Sequence, residues 1–361
     1  MKILFITNSL GFGGAEKMLT FVANSLSERQ HNISIANLDT VPSYVNAQKR
    51  QVNENILVYE MESEKKSAGK IIKFVLSIAK KEKPDIIIGF TEIPNVVSRI
   101  VGFLRGIPSI MSERGDPVRT GVGKGFKNRL VLAMIDSSRG GVFQTEGARN
   151  FYGKRLQKRG IVIPNPIFVN EEIPNIDYYE REKSVVSVAR LDNNQKRFDV
   201  MLDAFKLFSN KHPDYILKLY GKGDDENLIK RWVEEHNLSD KVKFMGLTSQ
   251  PIVDIAHDGM FLITSDFEGI SNSLLEAMAV GLPCVSTDHT PGGARLLIQD
   301  HENGLLAPIG DAKALAEAMC EFASNPELAK KCGNNAKKVI ERFDPKKIID
   351  MWENYILKIC N

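Results

Sequence analysis

Short apolar runs alternate with amphipathic stretches along the whole chain. Lys2–Thr7, Asn32–Leu38, Asp85–Phe90, Ser109–Ser112, Gly141–Gln144 and Ile161–Ile163 are rich in Ile, Val and Phe and predict strands. Between them, Glu16–Arg29, Gly69–Lys83 and Val122–Ile135 predict helices. Strands that alternate with helices imply parallel βαβ units and a doubly wound sheet. The pattern breaks at Pro164-Asn165-Pro166 and stays irregular to about Glu182, with a third proline at Pro174, which marks an interdomain linker. A second series follows at Val185–Ala189, Ile216–Tyr220, Val242–Met245, Met260–Thr264 and Pro283–Ser286. The repetition is of whole domains, expected at 1–165 and 166–344, followed by a last helix over 345–361.

Length and composition fit this division. The 361 residues suit two α/β domains. With 43% hydrophobic and 26% charged residues the chain is neither disordered nor membrane-like. The longest apolar runs, such as Val131–Ile135, fall far short of the ~20 residues a spanning helix needs. The chain enters strand-like sequence at Lys2 with no small-residue cleavage site, so no secretory signal is expected. Cys284, Cys320, Cys332 and Cys360 lack CxxC or His-paired spacing and read as reduced thiols of a cytoplasmic protein.

Three polar clusters fall where strands should end. The first strand runs into Asn8-Ser9-Leu10-Gly11-Phe12-Gly13-Gly14-Ala15-Glu16 and then a helix. Such glycines let the backbone approach a phosphate at a helix N-terminus, or simply form a tight turn. A dinucleotide fingerprint needs a small third residue where this chain has Glu16, which argues against a nicotinamide-dependent sugar enzyme. That reading is otherwise served by the glycines and by Asp39 after the second strand. The second cluster, Ser187–Arg197, places Arg190 at a strand end and Lys196 where a helix begins. The two cations converge on a diphosphate or are plain surface charges. The third cluster is the most informative: Ser265-Asp266-Phe267-Glu268-Gly269-Ile270-Ser271-Asn272-Ser273-Leu274-Leu275-Glu276-Ala277-Met278. Ser271 or Asn272 caps a helix running to about Val280, with Glu268 ahead of the cap and Glu276 in its second turn. The apolar neighbours of Glu276 predict that it is buried for a purpose. Its structural alternative is an ordinary exposed helix acid.

Glu268 and Glu276 with seven residues between them, preceded by Arg190 and Lys196 and by the early Gly13-Gly14 loop, resemble the retaining GT-B glycosyltransferases of family 4. The resemblance spans essentially the entire chain. Ser112–Pro117, Val142–Thr145, Ile163–Pro166 and Gly292-Gly293 also resemble bacterial members that assemble capsular and lipid-linked polysaccharides. The resemblance implies two Rossmann-like doubly wound parallel-sheet domains facing a central cleft, with the C-terminal helix crossing back onto the first. It implies a metal-independent hexosyltransferase with no cofactor, taking a nucleotide-sugar donor, by family habit a UDP-sugar. The acceptor would be a glycan or polyprenyl-linked sugar in cell-envelope polysaccharide synthesis.

Residue by residue, the resemblance implies that Arg190 and Lys196 bind the donor diphosphate and stabilise the leaving nucleotide. Glu276 would hold the ribose hydroxyls and Glu268 those of the transferred sugar. Backbone amides around Ile270, Ser271, Asn272, Ser273 and Leu274 would complete the donor site, with Gly13 and Gly14 closing over the diphosphate. Glu16, Glu113 and Arg114 fall on the acceptor side. Many relatives carry a histidine where this chain has Arg114, which leaves the polar role there open. A catalytically inactive sugar-nucleotide-binding protein would be expected to lose one of the four charged donor residues, and all four are present.

The remaining signals change the picture little. The six histidines form no metal-spaced pair, and His289 is the one expected nearest a site. Ile348, Met351, Trp352, Tyr355 and Ile359 recur at helical spacing as a packing face. The net charge of +3 hides an asymmetry: residues 1–165 carry 25 Lys+Arg against 14 Asp+Glu, and the remainder is acidic. Lys65, Lys66, Lys70, Lys73, Lys80, Lys81 and Lys83 form one group, Lys124, Lys127 and Arg129 a second. Arg149, Lys154, Arg155, Lys158 and Arg159 form a third. A solvated face is one account of them. The other is peripheral attachment to the anionic inner face of the cytoplasmic membrane, where a lipid-linked acceptor would enter. No nucleic-acid partner is expected.

Overall fold

The fold was described from a computed structural model, which places residues 1–11, 14–38, 51–61, 67–119, 125–169 and 173–360. The chain forms two compact units, Met1–Asn165 with Lys346–Asn361, and Pro166–Pro345.

Among the described residues the first unit contains a seven-stranded sheet. Its strands are β1 (Lys2–Thr7), β2 (Asn32–Asn37), β3 (Leu57–Glu60), β4 (Ile86–Phe90), β5 (Ser109–Ser112), β6 (Gly140–Phe143) and β7 (Ile161–Val162). They lie in the order β3-β2-β1-β4-β5-β6-β7, and the neighbours pair in parallel. Central strands covered by helices on both faces lose all contact with water, and β4, β5 and β6 are buried at every position. The edge strand β3 has one sheet neighbour and half-exposed side chains, so it lacks the apolar run that marks the others. The helix Glu92–Arg105 also lies outside the segments predicted above; it carries Pro94 in its first turn, where a missing N–H costs nothing.

The helix Pro345–Cys360 completes the first unit's core. Ile348, Ile349, Trp352, Tyr355 and Ile356 pack with Phe5, Ile88 and Phe90, and Trp352 stacks on Phe90 at 5.7 Å between ring centroids. Polar ties fix the helix in place. The Tyr355 hydroxyl accepts from the Gly141 amide at 2.8 Å, and Arg29 bridges Asp350 at 2.6 Å and Glu353 at 2.5 Å.

The second unit repeats the plan with β8 (Ser184–Val188), β9 (Ile216–Tyr220), β10 (Val242–Gly246), β11 (Met260–Ile263), β12 (Cys284–Thr287) and β13 (Leu305–Ala307). Its described sheet is parallel and six-stranded, ordered β10-β9-β8-β11-β12-β13. The short edge strand β13 was not legible as a strand.

Both sheets reverse their winding at one place, between β1 and β4 and between β8 and β11. Loops that leave such a pair diverge to opposite faces and leave a crevice at the carboxyl ends, where ligands of open α/β sheets bind. The proline-rich connection is tied down: Asn165 is buried and accepts from Gln144 Nε2 at 2.7 Å. Two residues on, the buried Ile167 donates its amide to the Phe343 carbonyl at 2.9 Å.

Candidate active site

At the switch point of the second unit, two loops are stitched together before any ligand is considered. The first leaves β8. Asp192 caps a single helical turn, Asn193–Lys196, by accepting from the Asn194 amide at 3.1 Å. Arg197 then turns the chain with φ 52° into the helix Phe198–Lys211. The second loop leaves β11 through Thr264, whose hydroxyl donates to the Lys196 carbonyl at 2.7 Å. The Asp266 amide donates to the Gln195 carbonyl at 3.0 Å, and Gln195 Nε2 to the Phe267 carbonyl at 2.9 Å. Arg197 forks onto both Asp266 oxygens at 3.0 and 3.1 Å. These bonds fix where Lys196 points.

Lys196 points at Glu268. Its ammonium pairs with Glu268 Oε1, with side-chain exposures of only 14% and 9%, and the Ser265 hydroxyl donates to the same oxygen. Burial pushes the Glu268 carboxyl up, but Lys196, the neighbouring His289 and the Ser265 bond outweigh it and hold the group below its ordinary value. A third loop, after β12, closes the back of the pair. Thr290 bridges Phe267 and accepts from the Glu268 amide at 2.8 Å. His289 is buried and kept neutral chiefly by that burial. Gly293 lies so near Gly269 that an added Cβ would sit 1.6 Å from the Gly269 carbonyl oxygen.

The sugar-and-phosphate stretch follows directly. Ser271 caps the helix Asn272–Ala279, its hydroxyl accepting from the Leu274 amide at 3.4 Å. Ile270 and Leu274 are buried, while Asn272 and Ser273 are half-buried at the helix N-terminus. Amides there favour an anion. Glu276 lies in the second turn and is half-buried, which corrects the expectation that its apolar neighbours would bury it. Those neighbours face the core and turn Glu276 toward the rim. Arg190 is 66% exposed and pairs with Asp192 at 2.5 Å. The two cations of this loop therefore engage different carboxylates.

In the first unit, Gly13 lies outside the described residues, as do Asp39, Lys65, Lys66 and Lys124, and of Lys127 only the backbone is described. Gly14 opens the helix Gly14–Glu28, and Glu16 in its first turn accepts from the Ser9 hydroxyl at 3.0 Å. Asn8 after β1 reaches Thr91 after β4 at 3.2 Å, joining the two loops at this unit's switch point. Glu113 is buried and accepts from the Arg114 and Gly115 amides at 2.9 and 3.1 Å and from the Tyr152 hydroxyl at 2.6 Å. Arg114 turns its guanidinium inward beside the stacked Phe90 and Trp352 rings, 5.3 Å from each ring centre. The carboxylate network around Arg197 and Asp266 and the bond from Ser265 were not anticipated. The pattern Ser265-Asp266 immediately after a buried strand is the signal that would have pointed to them.

Known proteins resemble the chain in sequence and fold. Residues 169–339, which include every donor-side residue named above outside the glycine loop, match the family model described as glycosyl transferases group 1. An uncharacterized glycosyltransferase of Haemophilus influenzae is 25% identical over 98% of each chain. The GalNAc-alpha-(1->4)-GalNAc-alpha-(1->3)-diNAcBac-PP-undecaprenol alpha-1,4-N-acetyl-D-galactosaminyltransferase of Campylobacter jejuni is 24% identical over 100% of this chain and 99% of its own. A crystal structure of Anabaena HepE in complex with UDP and glucose superposes with a TM-score of 0.83 at 19% identity, over 99% of this chain and 100% of that one. At that identity it attests the fold alone. The two parallel-sheet units thus share the GT-B fold, and residues 169–339 of the second unit match the glycosyl transferases group 1 model.

Proposed function

We infer that the chain is a glycosyltransferase that moves a sugar from a UDP-sugar to a glycan or polyprenyl-linked acceptor in polysaccharide synthesis, with retention and without a metal. The observation that carries this reading is the Lys196–Glu268 pair, fixed at a switch point beside the amides of the helix Asn272–Ala279. Such a site offers a cation and helix amides to a diphosphate and a carboxylate to sugar hydroxyls. The names of the relatives support the donor and acceptor classes: HepE was crystallised with UDP and glucose, and the Campylobacter enzyme acts on an undecaprenyl-linked glycan.

In this reading Lys196 and the exposed Arg190 meet the diphosphate, and Glu268 accepts from hydroxyls of the transferred sugar. Glu276 holds the ribose, and the amides of residues 270–274 complete the cradle. The bond from the sugar's anomeric carbon to the phosphate oxygen breaks, and one to the acceptor oxygen forms on the same face. The acceptor proton passes to the departing phosphate. Negative charge grows on the diphosphate during this step, and preorganised cations act where charge develops. Glu16, Glu113 and Arg114 belong to the acceptor side.

Attachment to an anionic bilayer through the first unit belongs to the same proposal. Phe103, Leu104 and Leu130 are exposed on the neighbouring helices Glu92–Arg105 and Gly125–Asp136, beside the cations Arg105 and Arg129. A screen of nucleotide sugars for binding and hydrolysis by the purified chain tests the central reading. Selective turnover of one UDP-sugar is expected, and no binding of any nucleotide sugar would overturn it.

A further inference from the structure

The first unit holds a cluster of hydrogen-bond donors with nothing to donate to. Arg114 follows β5 by two residues and turns its guanidinium against the stacked Phe90–Trp352 pair, within reach of both rings. All three of its nitrogens are buried without a hydrogen-bond partner among the described residues. The indole Nε1 of Trp352 and the hydroxyl of Ser112, two residues before Arg114 at the end of β5, are orphaned in the same way. A guanidinium carries five N–H groups and an indole one, and neither can accept.

Glu113 does not fill the gap. Its Oε1 is taken by the Arg114 and Gly115 amides and its Oε2 by Tyr152. Burial pulls the guanidinium down to about 9, against the opposing charge of Glu113, so it remains protonated at neutral pH. The two rings offer it cation–π contact, which satisfies no N–H. Buried donors in folded proteins are almost always paired, and a charged one left unpaired is costly.

We propose that Arg114, with Trp352 Nε1 and Ser112 Oγ, forms an oxyanion subsite that takes a phosphate group of the acceptor. A phosphate presents more acceptor oxygens than a carboxylate, and the guanidinium fork matches its geometry. This rests on reading the first unit as the acceptor side, and it gives a role to the position where a histidine was expected. A histidine there would be largely neutral at physiological pH; an arginine stays charged and selects a charged partner. The residue as a whole is half-buried, so its backbone and stem reach solvent while the head points inward. Rotation about its side-chain torsions exchanges ring contact for charge-assisted bonds.

Trp352 supplies the test. The chain has two tryptophans, so Trp232→Phe leaves Trp352 as the sole emitter. The full-length variant is titrated with inorganic phosphate, with and without saturating UDP, and with acetate in parallel. A saturable change in Trp352 emission is expected that persists with UDP, is at least tenfold weaker in Arg114→Lys and is absent in Arg114→Gln. Circular dichroism establishes that each variant is folded, and Arg114→Lys carries the test if the glutamine variant is not. The proposal is overturned by the absence of a saturable change, by one that Arg114 variants leave intact, or by acetate binding as tightly as phosphate. Saturation of the response by UDP alone would also overturn it, since the subsite would then belong to the donor. UDP calorimetry on the same sample separates these failures from failure of the donor-site reading.

Discussion

Lys196 and Glu268 lie 72 residues apart in sequence and form one buried ion pair at the carboxyl ends of adjacent parallel strands. Neither side chain is left to solvent. Each is the counter-charge that makes the other tolerable away from water, and both are held by loops that hydrogen-bond to one another.

That relationship changes what substitution should do. Lys196→Ala strands a buried carboxylate, so a loss of about 3–5 kcal/mol is expected together with loss of turnover. Glu268→Gln in the same background should recover much of the stability and none of the activity. Urea unfolding of the two single variants and the double variant measures the coupling, and strictly additive losses would mean that the pair is not coupled. Arg190→Ala, by contrast, removes an exposed side chain and should leave stability within about 0.5 kcal/mol. Its turnover should nonetheless fall if it meets the diphosphate.

The same cluster sets a pH dependence. Glu268 titrates below its ordinary 4.5, so its contribution is present above that value and is lost as pH falls through the lower folded one. His289 is also depressed, from 6.5, chiefly by burial. Below pH 6.5 the unfolded chain takes up a proton that the folded ring refuses, so stability should decline there until the folded value is reached. Glu268, Lys196 and Asp288 are the charged groups that face it. Unfolding free energies at pH 7.5, 6.5 and 5.5 should fall in the wild type and fall less in His289→Gln. Parallel slopes would remove His289 from the effect.

Much of this was legible in the sequence, and the exceptions have physical causes. Central strands such as Ile86–Phe90 are buried on both faces and read as unbroken apolar runs. Edge strand β3 is half-exposed and ends in Tyr59-Glu60, and β13 is only the three residues Leu305–Ala307, too short a run to stand out. Arg190, Lys196 and Glu268 were legible as charges at strand ends. Which charge meets which was not, because that depends on the turn at Arg197 and on the bonds from Thr264 and Gln195. The stripe of Ile348, Trp352 and Tyr355 was legible as a packing face. The orphaned Arg114 beside it was not, since no spacing rule brings residues 114 and 352 together.

Gly293 offers a test of how tightly the third loop is set. A methyl group there meets the Gly269 carbonyl, which is backbone and cannot turn aside. Gly293→Ala should cost about 1–3 kcal/mol or more and shift Glu268 with it. Thermal unfolding and UDP affinity should both worsen; an unchanged melting temperature would show that the two segments are not in contact.

Membrane attachment is tested with vesicles. Each basic residue near an anionic surface contributes on the order of 1 kcal/mol. Cosedimentation with anionic vesicles at low salt, and release at high salt, is expected, with Phe103→Ser weakening it. Equal recovery with neutral lipid, or insensitivity to salt, would contradict the electrostatic attachment.

The most direct test of the account is calorimetric titration of UDP into the wild type and Glu276→Ala. Glu276 lies at the half-buried rim of the helix Asn272–Ala279, where loss of its side chain leaves the core packing in place. Hydrogen bonds from ribose hydroxyls to a carboxylate are worth roughly 1.5–3 kcal/mol, or about ten- to a hundred-fold in affinity. The account predicts one saturable UDP site per chain, weakened by that factor in the variant at unchanged thermal stability. No UDP binding by the wild type, or equal affinity in both proteins, would contradict it.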